Sequence, residues 1–138
     1  GAADLFALSE VSRGIASGDG DNDGDTDVLL SNNSGPARLL VNIRGQDASW
    51  VGFRFVSGVR DAHGLSLVVE RESDSELERR VQVDGSYASS NDPRVLVGIG
   101  GDRAKSVDIR WPDGRRQRWE APAARRYAVF RSAAGSPR

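Results

Sequence analysis

The sequence predicts an all-β chain: an antiparallel β-sandwich preceded by an N-terminal β-hairpin that carries an acidic loop. Three observations predict it. From Trp50 onward apolar residues recur at every second position, in short runs separated by turn residues, which is the pattern of strands with one face in water. Pro112-Asp113-Gly114 reads as a tight hairpin turn, since Gly tolerates positive φ. Hydrophobic content is 38% of 138 residues, low for a helical bundle but suited to half-exposed strands. The length allows one domain, or one domain with an appended unit.

The elements follow in order. Residues 1–12 form an arm or strand, with Leu5, Phe6, Leu8 and Val11 too apolar for a loose tail. Residues 13–18 lead into the acidic loop. Residues 28–31 and 37–42 read as two strands joined by an Asn-Asn-Ser-Gly turn, with Pro36 at the mouth of the second. Together residues 13–44 make one unit, and residues 45–49 link it to the next. In the sandwich, residues 50–132, the alternating runs are Val51/Phe53/Phe55, Leu65/Leu67/Val69, Val81/Val83, Val95/Val97/Ile99, Val107/Ile109/Trp111 and Tyr127/Val129. The expected core is Phe53, Phe55, Leu67, Val69, Val81, Val83, Val97, Val107, Ile109 and Val129, with Trp111 beside the hairpin turn. Asp74-Ser75-Glu76 suggests a further turn, and residues 72–80 are the one stretch that also fits a helix. Residues 133–138 read as a frayed tail.

The acidic loop runs Asp19-Gly20-Asp21-Asn22-Asp23-Gly24-Asp25-Thr26-Asp27. Carboxylates this close repel, at about 1 kcal/mol per pair at 4 Å even in water. A hard dication reverses that sign. Calcium accepts six to eight oxygens in irregular geometry, whereas magnesium demands a stricter octahedron. Asp19, Asp21 and Asp23 occupy loop positions one, three and five, Gly24 the sharp turn at six, and Asp27 position nine. The expected ligands are therefore the side chains of Asp19, Asp21, Asp23 and Asp27 and the main-chain carbonyl of Asp25, with Ca2+ as the ion. An EF-hand would need a bidentate Glu at position twelve, where this chain has Leu30. The apolar run Val28-Leu29-Leu30 reads as a strand, so the loop joins strands.

Composition narrows the function classes. Residues 1–49 carry eight acids and three bases, and residues 50–138 twelve acids and sixteen bases. The basic excess is interleaved with carboxylates, which reads as ordinary surface and not as a nucleic-acid footprint. There are no cysteines, hence no disulfides and no thiolate metal site. No apolar run approaches the ~18 residues of a membrane span. All basic residues but Lys105 are arginine, a bias expected of a GC-rich bacterial genome. His63 stands alone without a nucleophile signature. Glu70 and Glu72 lack the apolar pocket of a glycosidase pair. Trp50, Trp111 and Trp119 suit core or hairpin packing, with sugar stacking the alternative. No enzyme is expected.

Two resemblances cover nearly the whole chain. Residues 13–42 resemble one FG-GAP (VCBS-type) repeat, with Ser17-Gly18 where the name-giving aromatic-Gly pair stands. Residues 50–131 resemble the ASPIC/UnbV domain of the cartilage acidic protein-like family. The matching words are Arg60-Asp-Ala-His-Gly64, Gly85-Ser-Tyr87, Asn91-Asp-Pro-Arg94, Val97-Gly-Ile-Gly100 and Arg110-Trp-Pro-Asp-Gly114. The chain departs from that pattern at His63 and at Leu65-Ser66. The resemblance implies a secreted, calcium-binding, non-enzymatic module for adhesion, matrix or self-assembly. Its expected partners are copies of itself or another extracellular protein. A carbohydrate-binding module, using exposed Trp or the ion, is the alternative. A propeller needs several four-stranded blades, so one partial blade must pack on the sandwich or pair its open edge with another chain.

Overall fold

The computed structural model describes residues 9–45 and 47–132. The expected arm residues Leu5, Phe6 and Leu8 and the expected tail lie outside them. Eleven strands and no helix occur among the described residues.

The N-terminal unit is a three-stranded antiparallel sheet in the order β1 (Ser12–Gly18), β2 (Asp27–Asn32), β3 (Arg38–Leu40). The segment expected only to lead into the acidic loop is itself a strand. It pairs with β2 from Ser12↔Asn32 to Gly18↔Asp27, so the hairpin closes tightly around the loop. The second hairpin is shorter than expected, because only Val28, Leu29 and Leu30 find partners in β3.

The remaining strands are β4 (Ser49–Ser57), β5 (Arg60–Asp61), β6 (Ser66–Arg71), β7 (Glu76–Arg80), β8 (Val95–Gly100), β9 (Ala104–Arg110), β10 (Arg116–Glu120) and β11 (Tyr127–Arg131). They build two sheets in a sandwich-like arrangement. One has the order β10-β9-β6-β7 and is antiparallel throughout. The other centres on β4, with β11 along one side and β5 and β8 along the other. β11 runs parallel to β4, the one parallel pair among the described strands.

Strand phase follows from which face is buried. Val51, Phe53 and Phe55 of β4, Leu67 and Val69 of β6, Val97 and Ile99 of β8, and Val107 and Ile109 of β9 meet between the sheets and are almost fully buried. Trp111 closes the core edge-on to Phe55, 6.4 Å between ring centres. It stands beside the expected hairpin turn, where Gly114 has φ of 86° and donates its N–H to the Trp111 carbonyl at 2.9 Å.

Three expectations change. Val129 is 53% exposed. The parallel register sets Phe130 beside Phe55 and Ala128 beside Phe53, so Phe130 points inward and Val129 outward. Val83 is only half-buried and lies in an irregular segment. Val81 is buried through main-chain bonds to Gly64 and Leu65, but the strand ends at Arg80. That strand, β7, comes from the stretch that also fits a helix. It is an edge strand with one inward apolar side chain, Leu77, among charges, which hides the period-two signal.

Candidate metal centre

The acidic loop links β1 to β2 and is held by its own backbone. Asp19 accepts the N–H groups of Asp23 and Gly24, each at 3.1 Å. Asp27 accepts Gly20 N–H at 2.8 Å and Asn42 N–H at 2.9 Å. Asp23 accepts Asp25 N–H at 3.0 Å. These bonds curl the chain so that side chains point inward. Oxygens of Asp19, Asp21 and Asp27 lie within 4.8 Å of one another. Oxygens around one calcium, at about 2.3–2.6 Å from it, can be at most ~5 Å apart, so the cluster fits that ion. Asp19, Asp25 and Asp27 are buried.

Asp25 is the loop's unsatisfied group. The residue is 8% exposed, and both of its carboxylate oxygens are buried without a hydrogen-bond partner. Burial raises its pKa first, and the surrounding charges of Asp23, Asp27, Asp21 and Asp19 raise it further. A buried carboxylate facing four others costs free energy unless a cation is near. Of the five expected ligand residues, the structure brings together the carboxylates of Asp19, Asp21 and Asp27. It leaves the Asp23 carboxylate on the Asp25 amide, outside that group, and buries the Asp25 side chain as well as its main chain.

The loop does not hang from its sheet. It sits on the outer face of β4 and β11, the face opposite the core. Trp50 lies there, 4% exposed, directly beneath Gly24. A Cβ at Gly24 would stand 1.8 Å from Trp50 Nε1, and Gly24 has φ of +95°, so only glycine fits this approach. Tyr127 packs against Trp50 at 5.1 Å and lies over Gly52. Its hydroxyl donates to Asp19 Oδ2 at 2.8 Å. Burial, then this bond, hold the Tyr127 phenol far above its ordinary pKa.

Arg94 completes the seat. Its guanidinium stacks 4.3 Å over the Tyr127 ring, donates to the Asp19 carbonyl and to Asn22 Oδ1, both at 2.5 Å, and pairs with Asp92. Asn91 and Asp92 fasten the adjoining strand. Asn91 Oδ1 accepts Ser17 N–H at 2.9 Å, and Asp92 N–H donates to the Ser17 carbonyl at 2.9 Å. Beside the loop is a cleft of about 200 Å³, lined by Asn91, Asp92, Arg94 and Tyr127 among others. These four are thus already engaged, whereas Arg80, which also lines the cleft, has no side-chain partner among the described residues.

Sequence reading found the loop and missed this seat. Trp50, Asn91, Arg94 and Tyr127 lie outside the loop in the chain, with Asp19 and Tyr127 separated by 108 in sequence number. Two local signals were visible: a glycine at loop position six, and the polar word Asn-Asp-Pro-Arg directly before the apolar run of β8. The Trp residues resolve as packing groups. Trp50 and Trp111 are buried, and Trp119 packs on Phe130 at 5.1 Å. His63 is an exposed loop residue, as expected.

Residues 56–137 match the family described as ASPIC and UnbV. The chain is 30% identical over 103 residues to cartilage acidic protein 1 of Mus musculus and of Homo sapiens. The match covers 70% of this chain but only 16% and 15% of those two proteins, so the chain spans about a sixth of the curated relatives' length. No helix among the described residues is long and apolar enough to cross a membrane.

Proposed function

The chain belongs to the ASPIC and UnbV family, and from that premise we propose that it is a secreted, non-enzymatic interaction module whose acidic loop, of the FG-GAP (VCBS) type, holds one structural calcium ion. The observation that carries the metal reading is the Asp25 carboxylate, buried without a partner beside converging carboxylates. Asp19, Asp21 and Asp27 would hold the ion, with Asp23 and the Asp25 carbonyl completing its shell. The ion would neutralise the loop and fix its shape. The protein's own residues then transmit that shape: Asp19 is bonded to Tyr127, its carbonyl to Arg94, and Gly24 rests on Trp50. An ion here is thereby a fastener between the three-stranded unit and the sandwich. That role, and a cleft whose Asn91, Asp92, Arg94 and Tyr127 are spent on docking, favour structure over chemistry.

The interaction surface is the three-stranded unit itself. Val11, Ile15, Leu29, Leu39, Val41 and Ile43 are 45–73% exposed there. Ala16, Leu29 and Leu39 stand directly opposite one another across the strands, on one face. β3 ends the sheet with an unpaired edge, whereas Asn91 and Asp92 bond Ser17 on the edge of β1, and an unpaired edge recruits another strand. A second copy of the chain, or another extracellular protein, is the partner this surface suits. Extracellular placement agrees with a weak, non-EF calcium loop, which suits high free calcium.

Titration calorimetry of chelator-stripped protein with Ca2+ tests the metal reading. One site per chain is expected, absent from Asp21→Ala. Saturating calcium should raise the melting temperature by several degrees over excess chelator, since a ligand at a hundredfold its Kd stabilises by ~2.7 kcal/mol. The tryptophan emission should shift to the red on chelation, as Gly24 lifts from Trp50. Identical melts and spectra in calcium and chelator would reject the reading.

A further inference from the structure

The outer face of the β10-β9-β6-β7 sheet carries its charges in rows. The register sets Arg116 opposite Arg110, Arg110 opposite Ser66, and Ser66 opposite Arg80. One row thus reads Arg-Arg-Ser-Arg across four strands. Two residues along, the row is Arg118, Asp108, Val68, Glu78, and two further on it is Glu120, Ser106, Glu70, Glu76. The interleaving that makes the chain's basic excess look ordinary in sequence fails in this first row. Like charges directly opposite across strands are destabilising, yet Arg110 faces Arg116 with no acid between. All three arginines are exposed. Among the described residues none of the three makes a hydrogen bond or ion pair, whereas Arg118 is paired to both Glu70 and Asp108. Two hollows flank Arg110. One is shared with Arg80 over Gly64, Pro112 and Gly114, and the other with Arg116, with Asp108 and Glu78 of the next row on its far side.

We propose that this arginine row is a binding site for an anionic, sulfated polysaccharide, independent of the metal loop. Its geometry calls for a ligand with more than one negative group. Arg110 and Arg116 are about 5 Å apart at the backbone, and Arg80 lies two strand spacings, roughly 10 Å, from Arg110. Guanidinium forks bind oxyanions through paired N–H donors, and Ser66 offers a hydroxyl between the two subsites. The carrier of those anions should be non-aromatic. Sequence-tolerant nucleic-acid sites place aromatic rings beside the charges for bases to stack on. Here Trp111, the ring nearest the row in sequence, is buried at 3% exposure. A linear chain of sugars bearing sulfates fits a straight, ring-free row of cations.

Calorimetry with heparin as the probe, in calcium and moderate salt, tests this. Wild type should bind. Arg110→Ser should weaken binding at least tenfold and lower the slope of log affinity against log salt by about one, as expected when one ionic contact is lost. Arg80→Ser, on the edge strand, should do the same if Arg110→Ser folds poorly. Arg13→Ser, an equal charge change on β1, should leave binding within twofold. Asp21→Ala should still bind heparin, which separates this site from the calcium reading. Equal losses from Arg13→Ser and Arg110→Ser, or no binding by wild type, would overturn the proposal. So would equally tight binding of single-stranded DNA or poly-glutamate. Heparin-independent dimers abolished by Arg110→Ser would assign the row to a second copy instead.

Discussion

Glu70 gathers Lys105 at 2.8 Å, the Ser106 hydroxyl at 2.9 Å, and Arg118 onto one carboxylate. The Lys105 and Ser106 bonds hold its pKa at about 2, against an ordinary 4.5. The folded value is the depressed one, so this contribution to stability is complete above the ordinary value. It is lost as pH falls from about 4.5 towards about 2. Glu70→Gln should flatten that part of the pH dependence of the urea midpoint, lowering the midpoint at neutral pH and changing it little near pH 2. Gly24 sets a different kind of limit. Gly24→Ala must place a methyl where Trp50 stands, at a φ that costs an L-residue roughly 1–2 kcal/mol by itself. It should reproduce the red-shifted tryptophan emission and lowered melt of chelation even in saturating calcium. Asp25→Asn should act in opposite senses: a higher melt in chelator, because one buried charge is gone, and weaker calcium binding in titration. A fall in both would show that its carboxylate is needed for shape and not for charge.

Among the elements, β4 organises the sandwich. Phe53 is fully buried and touches Phe55 and Phe130 at 6.1 and 5.9 Å between ring centres. Phe53→Ala should cost ~3–5 kcal/mol in equilibrium unfolding, whereas Val129→Ala, on the outward face of β11, should be close to neutral. The contrast between those residues shows where the sequence could be read. Phe53, Leu67 and Ile109 lie on strands whose outward places include Arg54, Ser66, Glu70, Asp108 and Arg110, so period two gave their phase. In β11 every residue from Tyr127 to Phe130 is apolar. Phe130 on its inward face meets the core, while on its outward face Tyr127 is covered by Trp50 and the acidic loop and Val129 is exposed, so an apolar run carries no phase information there. β1 was hidden because its glycines and serines have no side chains to pattern, and β7 because its charges mask Leu77. The acidic loop was legible for the opposite reason: its chemistry is local, nine consecutive residues, while its seat is assembled from segments that only the fold brings together.

At the scale of the whole molecule, a sheet with an open edge along β3 and with Leu29 and Leu39 exposed on one face is joined to a self-contained sandwich. Sedimentation in calcium should show reversible, concentration-dependent association, and Leu39→Glu should abolish it without altering the melt. Deleting residues 1–11 should likewise leave a soluble monomer if the arm supplies the added strand. Monomers at all concentrations for the intact chain would leave the exposed leucines without a self-association role. The bond from Tyr127 to Asp19 has a mechanical corollary. It ties the first residue of the last described strand to the loop that follows β1. Tension applied at the far ends of β1 and β11 would shear each against its partner strand, with that junction between them. In an optical trap the first rupture should be a short step that opens the clasp and frees β1 to β3, at a force that drops when calcium is withdrawn. The larger rip of the sandwich should follow at a force the ion does not change. A module so arranged can yield under load and lengthen without unfolding.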